Sequence, residues 1–164
     1  SKGSRTSGAP VSRRDQIKMT DAEIEAFLDS GRDLQVASIN GDGTPHLVTM
    51  WYVVRDGDVA FWTYGKSQKV VNLKRDPRLT VLVATGDAYE ELRGVSIAGT
   101  AEVIDDTDEV LSYGLQIFEK YWGGGTEDEL VRAGVQQQAL KRVVLRVKAD
   151  TVVTWDHSKL AGAY

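Results

Sequence analysis

From residue 34 onward apolar and polar residues alternate in short runs, a period of two that predicts half-buried strands. Over 34–40, Leu34, Val36 and Ser38 oppose Gln35, Ala37 and Ile39, and Asn40-Gly41-Asp42-Gly43 follows as a hairpin turn. A second strand is expected over 45–54, with Leu47, Thr49 and Trp51 on one face and Val48, Met50 and Tyr52 on the other. An Asp56-Gly57 turn leads to a third strand over 58–64. Residues 79–85, 91–104 and 143–155 complete the set, and Gly94 and Gly99 mark bends or a bulge in the long fifth strand. Helical spacing takes over in four places. Thr20-Asp21-Ala22-Glu23 is a capping box before Ile24, Phe27 and Leu28, with Met19 and Ile24 as a hydrophobic staple and Gly31 as the stop. A short basic helix over 66–75 ends before Pro77. Two more helices, over 106–122 and 126–140, are parted by Gly123-Gly124-Gly125; each opens on a capping pattern, Asp106 with Glu109 and Thr126 with Glu129. Six or so antiparallel strands, joined mostly by tight turns, predict a mainly β fold with short helices: a small barrel. A doubly wound parallel sheet would need a helix after nearly every strand.

The 164 residues suit one domain with a real core. Residues 1–18 read as a flexible, weakly basic arm, 19–156 as a single domain with a helical insertion near 106–141, and 157–164 as a tail without a pattern. The arm lacks the apolar segment of a signal peptide, and no apolar run approaches the length of a membrane span. These features predict a soluble cytoplasmic protein without a membrane partner. The absence of cysteine excludes disulfides, thiolate catalysis and Cys-ligated metal. A pI near 5.2 argues against nucleic acid as a partner.

Charge changes the picture at one place. Around the predicted helix 66–75, Lys66, Lys69, Lys74, Arg75 and Arg78 face a single acid, Asp76, in a chain of net charge −4. An apolar strand runs through Thr63, Tyr64 and Gly65 into Ser67, where an N-cap belongs. A helix start with open N–H donors, hydroxyls and lysines suits a phosphate that carries an acidic extension. Helical spacing puts Lys66, Lys69 and Asn72 on one side and Val70 and Leu73 on the buried side. The segment Leu47-Val48-Thr49-Met50-Trp51-Tyr52 is the second candidate, because a heteroaromatic ring could lie along its backbone. Other groups carry less. His46 and His157 lack the neighbours of a metal site, and no metal is expected. Asp156-His157-Ser158 imitates a triad in composition only. The acidic clusters at 105–109 and 127–129 suit helix starts. No protein nucleophile or base stands out, so catalytic residues stay unassigned; the pattern fits an enzyme whose cofactor does the chemistry.

Residues 34–105 resemble the flavin-binding split β-barrel of the pyridoxamine 5′-phosphate oxidase-like superfamily. The resemblance rests on Val36-Ala37-Ser38-Ile39-Asn40-Gly41-Asp42-Gly43-Thr44-Pro45, on Val48-Thr49-Met50-Trp51, and most specifically on residues 67–78. In element order it extends over 20–156 and is strongest to the actinobacterial branch that uses coenzyme F420, an 8-hydroxy-5-deazaflavin. It implies a homodimer with the cofactor at the interface. The phosphate would meet Ser67, Lys69 and Asn72 near Thr63, Tyr64 and Lys66, and the ring would lie against Val48, Thr49, Met50 and Trp51. Lys74, Arg75 and Arg78 would attract the oligoglutamate tail. True pyridoxamine phosphate oxidases end in an arginine motif, whereas residues 155–164 contain no arginine, which argues against that substrate. Trp122, Trp155 and Tyr89 are candidates to line the substrate pocket. The resemblance implies hydride transfer from the reduced deazaflavin to an unsaturated bond or carbonyl of an apolar small molecule. The alternatives are an FMN-dependent reductase or oxidase of the same fold, a non-enzymatic module that carries cofactor or senses a ligand, and more distantly a haem binder through His46 or His157.

Overall fold

The computed structural model describes residues 12–160. The arm expected over 1–18 and the tail expected over 157–164 thus fall partly outside the described residues. Within them, Arg13–Gln16 forms a helical turn (α1) capped by the Ser12 side chain. The Ile17 carbonyl accepts from the Asp156 N–H at 2.8 Å, and the Met19 N–H donates to Thr154 Oγ1 at 3.0 Å. His157–Leu160 is a turn of 3-10 helix where no pattern was expected.

The domain then runs α2 (Asp21–Ser30), β1 (Leu34–Ile39), β2 (Pro45–Met50), β3 (Val53–Arg55), β4 (Asp58–Tyr64), α3 (Gln68–Arg75), β5 (Arg78–Thr85), β6 (Arg93–Ile104), α4 (Thr107–Trp122), α5 (Glu129–Ala139) and β7 (Arg142–Asp156). All strand pairs are antiparallel, in the order β2-β1-β5-β6-β7-β4-β3. The two edge strands, β2 and β3, are consecutive in the chain and joined only by Trp51 and Tyr52. Such a sheet must curl until its edges approach, which makes the curled half-barrel of a split-barrel fold.

The sheet has seven strands rather than six because the expected strand 45–54 breaks at Trp51-Tyr52. At the break the backbone turns to side-chain partners. The Tyr52 N–H donates to Tyr121 Oη at 3.0 Å, and the Tyr52 phenol, fully buried, donates to the Leu28 carbonyl. Other boundaries move for equally local reasons. α3 starts at Gln68, so Lys66 lies in the preceding turn and not on the helix side of Lys69. α5 starts at Glu129 because Asp128, not Thr126, caps it, accepting from the N–H groups of Leu130 and Val131. The Thr126 hydroxyl instead donates to Glu119. Asp106 makes no side-chain capping bond. The capping box at Thr20 and Glu23 forms.

The barrel interior is filled by Leu34, Val36, Phe61, Val81, Val95 and Leu145, with Val70 and Leu73 from α3. A second cluster sits under α4, where Val110, Tyr113 and Ile117 meet Val53, Ala60 and Val144. β4 therefore buries side chains on both faces. Gly99 stands at the β6–β7 register shift, where a Cβ would lie 2.0 Å from the Lys148 carbonyl oxygen. Gly114 lets α4 lie against the Trp62 ring, which a Cβ would meet at 2.5 Å.

Candidate functional site

β4 ends at Tyr64, and the turn Gly65–Ser67 reverses the chain into α3. The Lys69 side chain is thereby folded back over the end of β4, where its Nζ donates to Thr63 Oγ1 at 2.9 Å; the Thr63 hydroxyl lies 3.5 Å from Ser67 Oγ. Lys69 is half-buried, and burial pulls its pKa below the usual lysine value. Among the described residues no carboxylate lies within 4 Å of its amine. Ser67 makes no side-chain capping bond, which leaves first-turn N–H donors of α3 open. Opposite, the end of β2 brings Thr49, Met50 and Trp51. Together with Trp62, Thr63, Tyr64 and Arg142 these residues enclose a cavity of about 430 Å³ at the strand–helix junction.

Six of the expected site residues line that cavity or touch its lining: Thr49, Met50, Trp51, Thr63, Tyr64 and Lys69, with Ser67 beside them through Thr63. Three are placed differently. Val48 turns inward onto the barrel core, so only its backbone on the edge strand is available to a ligand. Lys66 is exposed and lines a neighbouring recess of about 650 Å³ with Tyr64, Asp105, Lys141 and Arg142. Asn72 is fully buried and occupied: its amide nitrogen donates to Ser38 Oγ at 3.1 Å and Asn40 Oδ1 at 3.0 Å, and its oxygen accepts from Gln68 at 2.8 Å. Asn72 ties α3 to β1 and holds no open donor for a phosphate. The tail cations are also redistributed. Arg78 is paired with Asp76 at 2.7 Å, and Arg75 donates to the Ile39 carbonyl, which leaves Lys66, Lys74 and Lys141 outside any ion pair among the described residues.

Arg142 escaped the sequence reading. It is brought to Tyr64 by the register of β4 on β7, 78 positions along the chain. Its guanidinium lies over the rings of Trp62 (4.8 Å) and Tyr64 (4.4 Å). Beyond it, between β4, α4 and α5, a second cavity of about 410 Å³ is lined by Trp51, Trp62, Ile117, Phe118, Trp122 and Val135 among others. Trp51 stacks on Tyr121 at 4.4 Å and meets Trp122 edge-on, and Trp122 stacks on Phe118. Trp122 thus stands where a pocket residue was expected. Trp155 and Tyr89 do not: Trp155 covers Gly94, and Tyr89 meets the His157 ring at 4.5 Å. Asp156 caps the final turn, accepting from the Ser158 hydroxyl at 2.6 Å. Among the described residues no cluster of three metal-ligating side chains exists. Among the described residues no helix is long and apolar enough to cross a membrane.

The family model described as pyridoxamine 5′-phosphate oxidase matches residues 20–156. The chain belongs to the pyridoxamine 5′-phosphate oxidase family. No curated protein matches it in sequence. Among solved structures, a conserved hypothetical protein from Mycobacterium tuberculosis is 42% identical, with a TM-score of 0.85 and 92% of each chain covered. An F420 reductase is 23% identical, with a TM-score of 0.62, covering 78% of this chain and 94% of the other. The haem storage protein HutZ from Vibrio cholerae is 14% identical, with a TM-score of 0.65, covering 84% and 97%. The last two are similarities of fold. In this member of the pyridoxamine 5′-phosphate oxidase family neither the strand–helix cavity nor the aromatic one is lined by a carboxylate or a histidine.

Proposed function

We propose that the protein is an F420-dependent oxidoreductase that delivers a hydride to an unsaturated bond or carbonyl of an apolar small molecule. The observation that carries the reading is Lys69: a half-buried amine with no carboxylate near it among the described residues, aimed with Thr63 at a cavity beside open helix N–H groups. Burial disfavours its charge, and a bound phosphate would restore it. Lys69, Ser67 and Thr63 would hold the cofactor phosphate. The open edge of β2 at 48–50, with Trp51 just beyond it, would offer backbone donors and acceptors to the ring. The cations beyond Tyr64 favour the deazaflavin over FMN. Lys66 and Lys141, against the single acid Asp105, line a neighbouring recess that shares Tyr64 and Arg142 with the phosphate seat, which suits an acidic tail and which a single phosphate leaves unused. When bound, the deazaflavin supplies the hydride at its C5. The protein's own part is to fix the ring, shield it with Trp51 and Trp62, and exclude water. The absence of a carboxylate or histidine in the lining agrees with that division of labour.

Fluorescence titration of the apo protein with F420 and with FMN, at low and moderate salt, tests the proposal. Tight, salt-sensitive F420 binding with weak FMN binding is expected. A preference for FMN would move the protein to a flavin-dependent activity, and tight binding without turnover of any acceptor would make it a carrier. Lys69→Ala should weaken F420 binding by about 1.5–3 kcal/mol, roughly 10- to 150-fold in Kd. An unchanged Kd would remove Lys69 from the phosphate site.

A further inference from the structure

The aromatic cavity under α4 and α5 has one charged side chain. Trp51, Trp62, Phe118, Trp122, Val131 and Val135 present rings and methyl groups, and Arg142 stands at the end shared with the cofactor cavity. Arg142 has few protein partners. The one hydrogen bond of its side chain within the described residues is a long one, 3.5 Å to the Gln138 carbonyl, and no carboxylate among them lies within 4 Å. The guanidinium carbon sits over the Trp62 and Tyr64 rings, which limits where the group can move, and its sparse hydrogen bonding leaves donors available to an oxyanion. The mouth is unusually apolar for a surface: Trp122 is 59% and Leu130 85% exposed. At about 410 Å³ the space lies within the range, roughly 300–1,000 Å³, of sites that bury a small organic molecule. Gly134 leaves part of it open, since a Cβ there would meet nothing within 4 Å.

We propose that this cavity binds a flat, conjugated, largely apolar molecule carrying a single anionic group, with the ring body against Trp62, Phe118 and Trp122 and the anion on Arg142. A neutral apolar ring would leave the guanidinium desolvated and unpaired, and a polyanion would find no second cation in the lining. Naming this occupant as the hydride acceptor rests on the proposed F420-dependent reaction; the binding site itself does not.

Two fluorescent probes with the same ring framework separate the parts of the claim. 1-Anilinonaphthalene-8-sulfonate carries one anion, and N-phenyl-1-naphthylamine carries none. Both are titrated into the full chain without cofactor. The wild type should bind both, the sulfonate more tightly. Arg142→Met should weaken the sulfonate about tenfold or more and leave the neutral probe within about twofold, which also shows that the cavity is intact. Gly134→Leu should weaken both about tenfold or more at an unchanged thermal midpoint; Val131→Phe serves as the second filling variant if Gly134→Leu does not fold. Equal effects of Arg142→Met on the two probes would overturn anion recognition. Undiminished binding in a folded filling variant, or no binding by the wild type, would overturn the site. Because no cofactor is present, failure to bind F420 or FMN would remove the proposed function and leave this result standing, and the reverse also holds.

Discussion

Two half-buried lysines show how the same residue type can carry different information. Lys69 and Lys120 are both held below the usual lysine pKa, first by burial. Lys69 points at a cavity with hydroxyl partners, where the proposed function seats an anion. Lys120 lies with its Nζ 3.8 Å from the centre of the Tyr52 ring, near Arg32, and its pKa is pulled down to about 8. It lines neither the strand–helix cavity nor the aromatic one, and its shift bears on stability. The folded state releases this proton near pH 8 and the unfolded chain near 10.5, so between those values the unfolded state binds more protons. Stability must rise with pH across that window, because the cost of a buried cation is present below it and fades above it. The gain is about 1–2 kcal/mol once screening of a half-exposed amine is allowed for. Urea unfolding at a series of pH values from 7 to about 10 should show that gain for the wild type and its loss in Lys120→Met. Parallel curves for the two proteins would mean that Lys120 titrates normally.

At the level of elements, what could be read from the sequence was what depends on near neighbours. The alternation in β1 and β2, the capping box of α2 and the buried side of α3 at Val70 and Leu73 are set by residues within a turn or two, and each formed as expected. The break between β2 and β3 depends on a tyrosine 69 positions away, and Arg142 reaches Tyr64 only through strand register. Neither leaves a trace in local pattern. The same limit misplaced Asn72, whose spacing matches a ligand-facing position but whose partners Ser38 and Asn40 come from β1 and its turn. Tyr121 is the testable part of this long-range joint. Its hydroxyl accepts from the Tyr52 N–H and donates to the Arg32 carbonyl at 2.6 Å, while its ring stacks on Trp51. Tyr121→Phe keeps the stack and strands the half-buried Tyr52 N–H, while water can reach the exposed Arg32 carbonyl; this should cost about 1–3 kcal/mol in urea unfolding. Hydrogen exchange at the Tyr52 amide should accelerate more than at the β6–β7 ladder. A uniform change would mean that the hydroxyl supports the whole sheet and not the joint.

For the whole molecule, the open edge of β2 is the outstanding feature. Closed barrels hide every strand edge, but here β2 pairs only with β1; its outer face shows Leu47 at 66% exposure, and Trp51, just past its end, is 45% exposed. An exposed edge strand with apolar side chains invites a partner. We propose that a second copy of the chain covers it and completes the strand–helix cavity, since Thr49 and Met50 of the same strand, with Trp51 just beyond its end, form one wall of that cavity. Sedimentation at micromolar concentration should then give twice the 18.0 kDa chain mass. Leu47→Glu would place a charge in the covered face and should shift the protein towards monomer. The coupling can be read from the cofactor. If the interface completes the site, Leu47→Glu lowers F420 affinity in step with dissociation, and raising the protein concentration restores both. Lys69→Ala lowers affinity while the dimer persists, so the two losses are distinguishable. A Leu47→Glu monomer that binds F420 as tightly as the wild type would show that one chain suffices. A Leu47→Glu dimer would place the interface on another face.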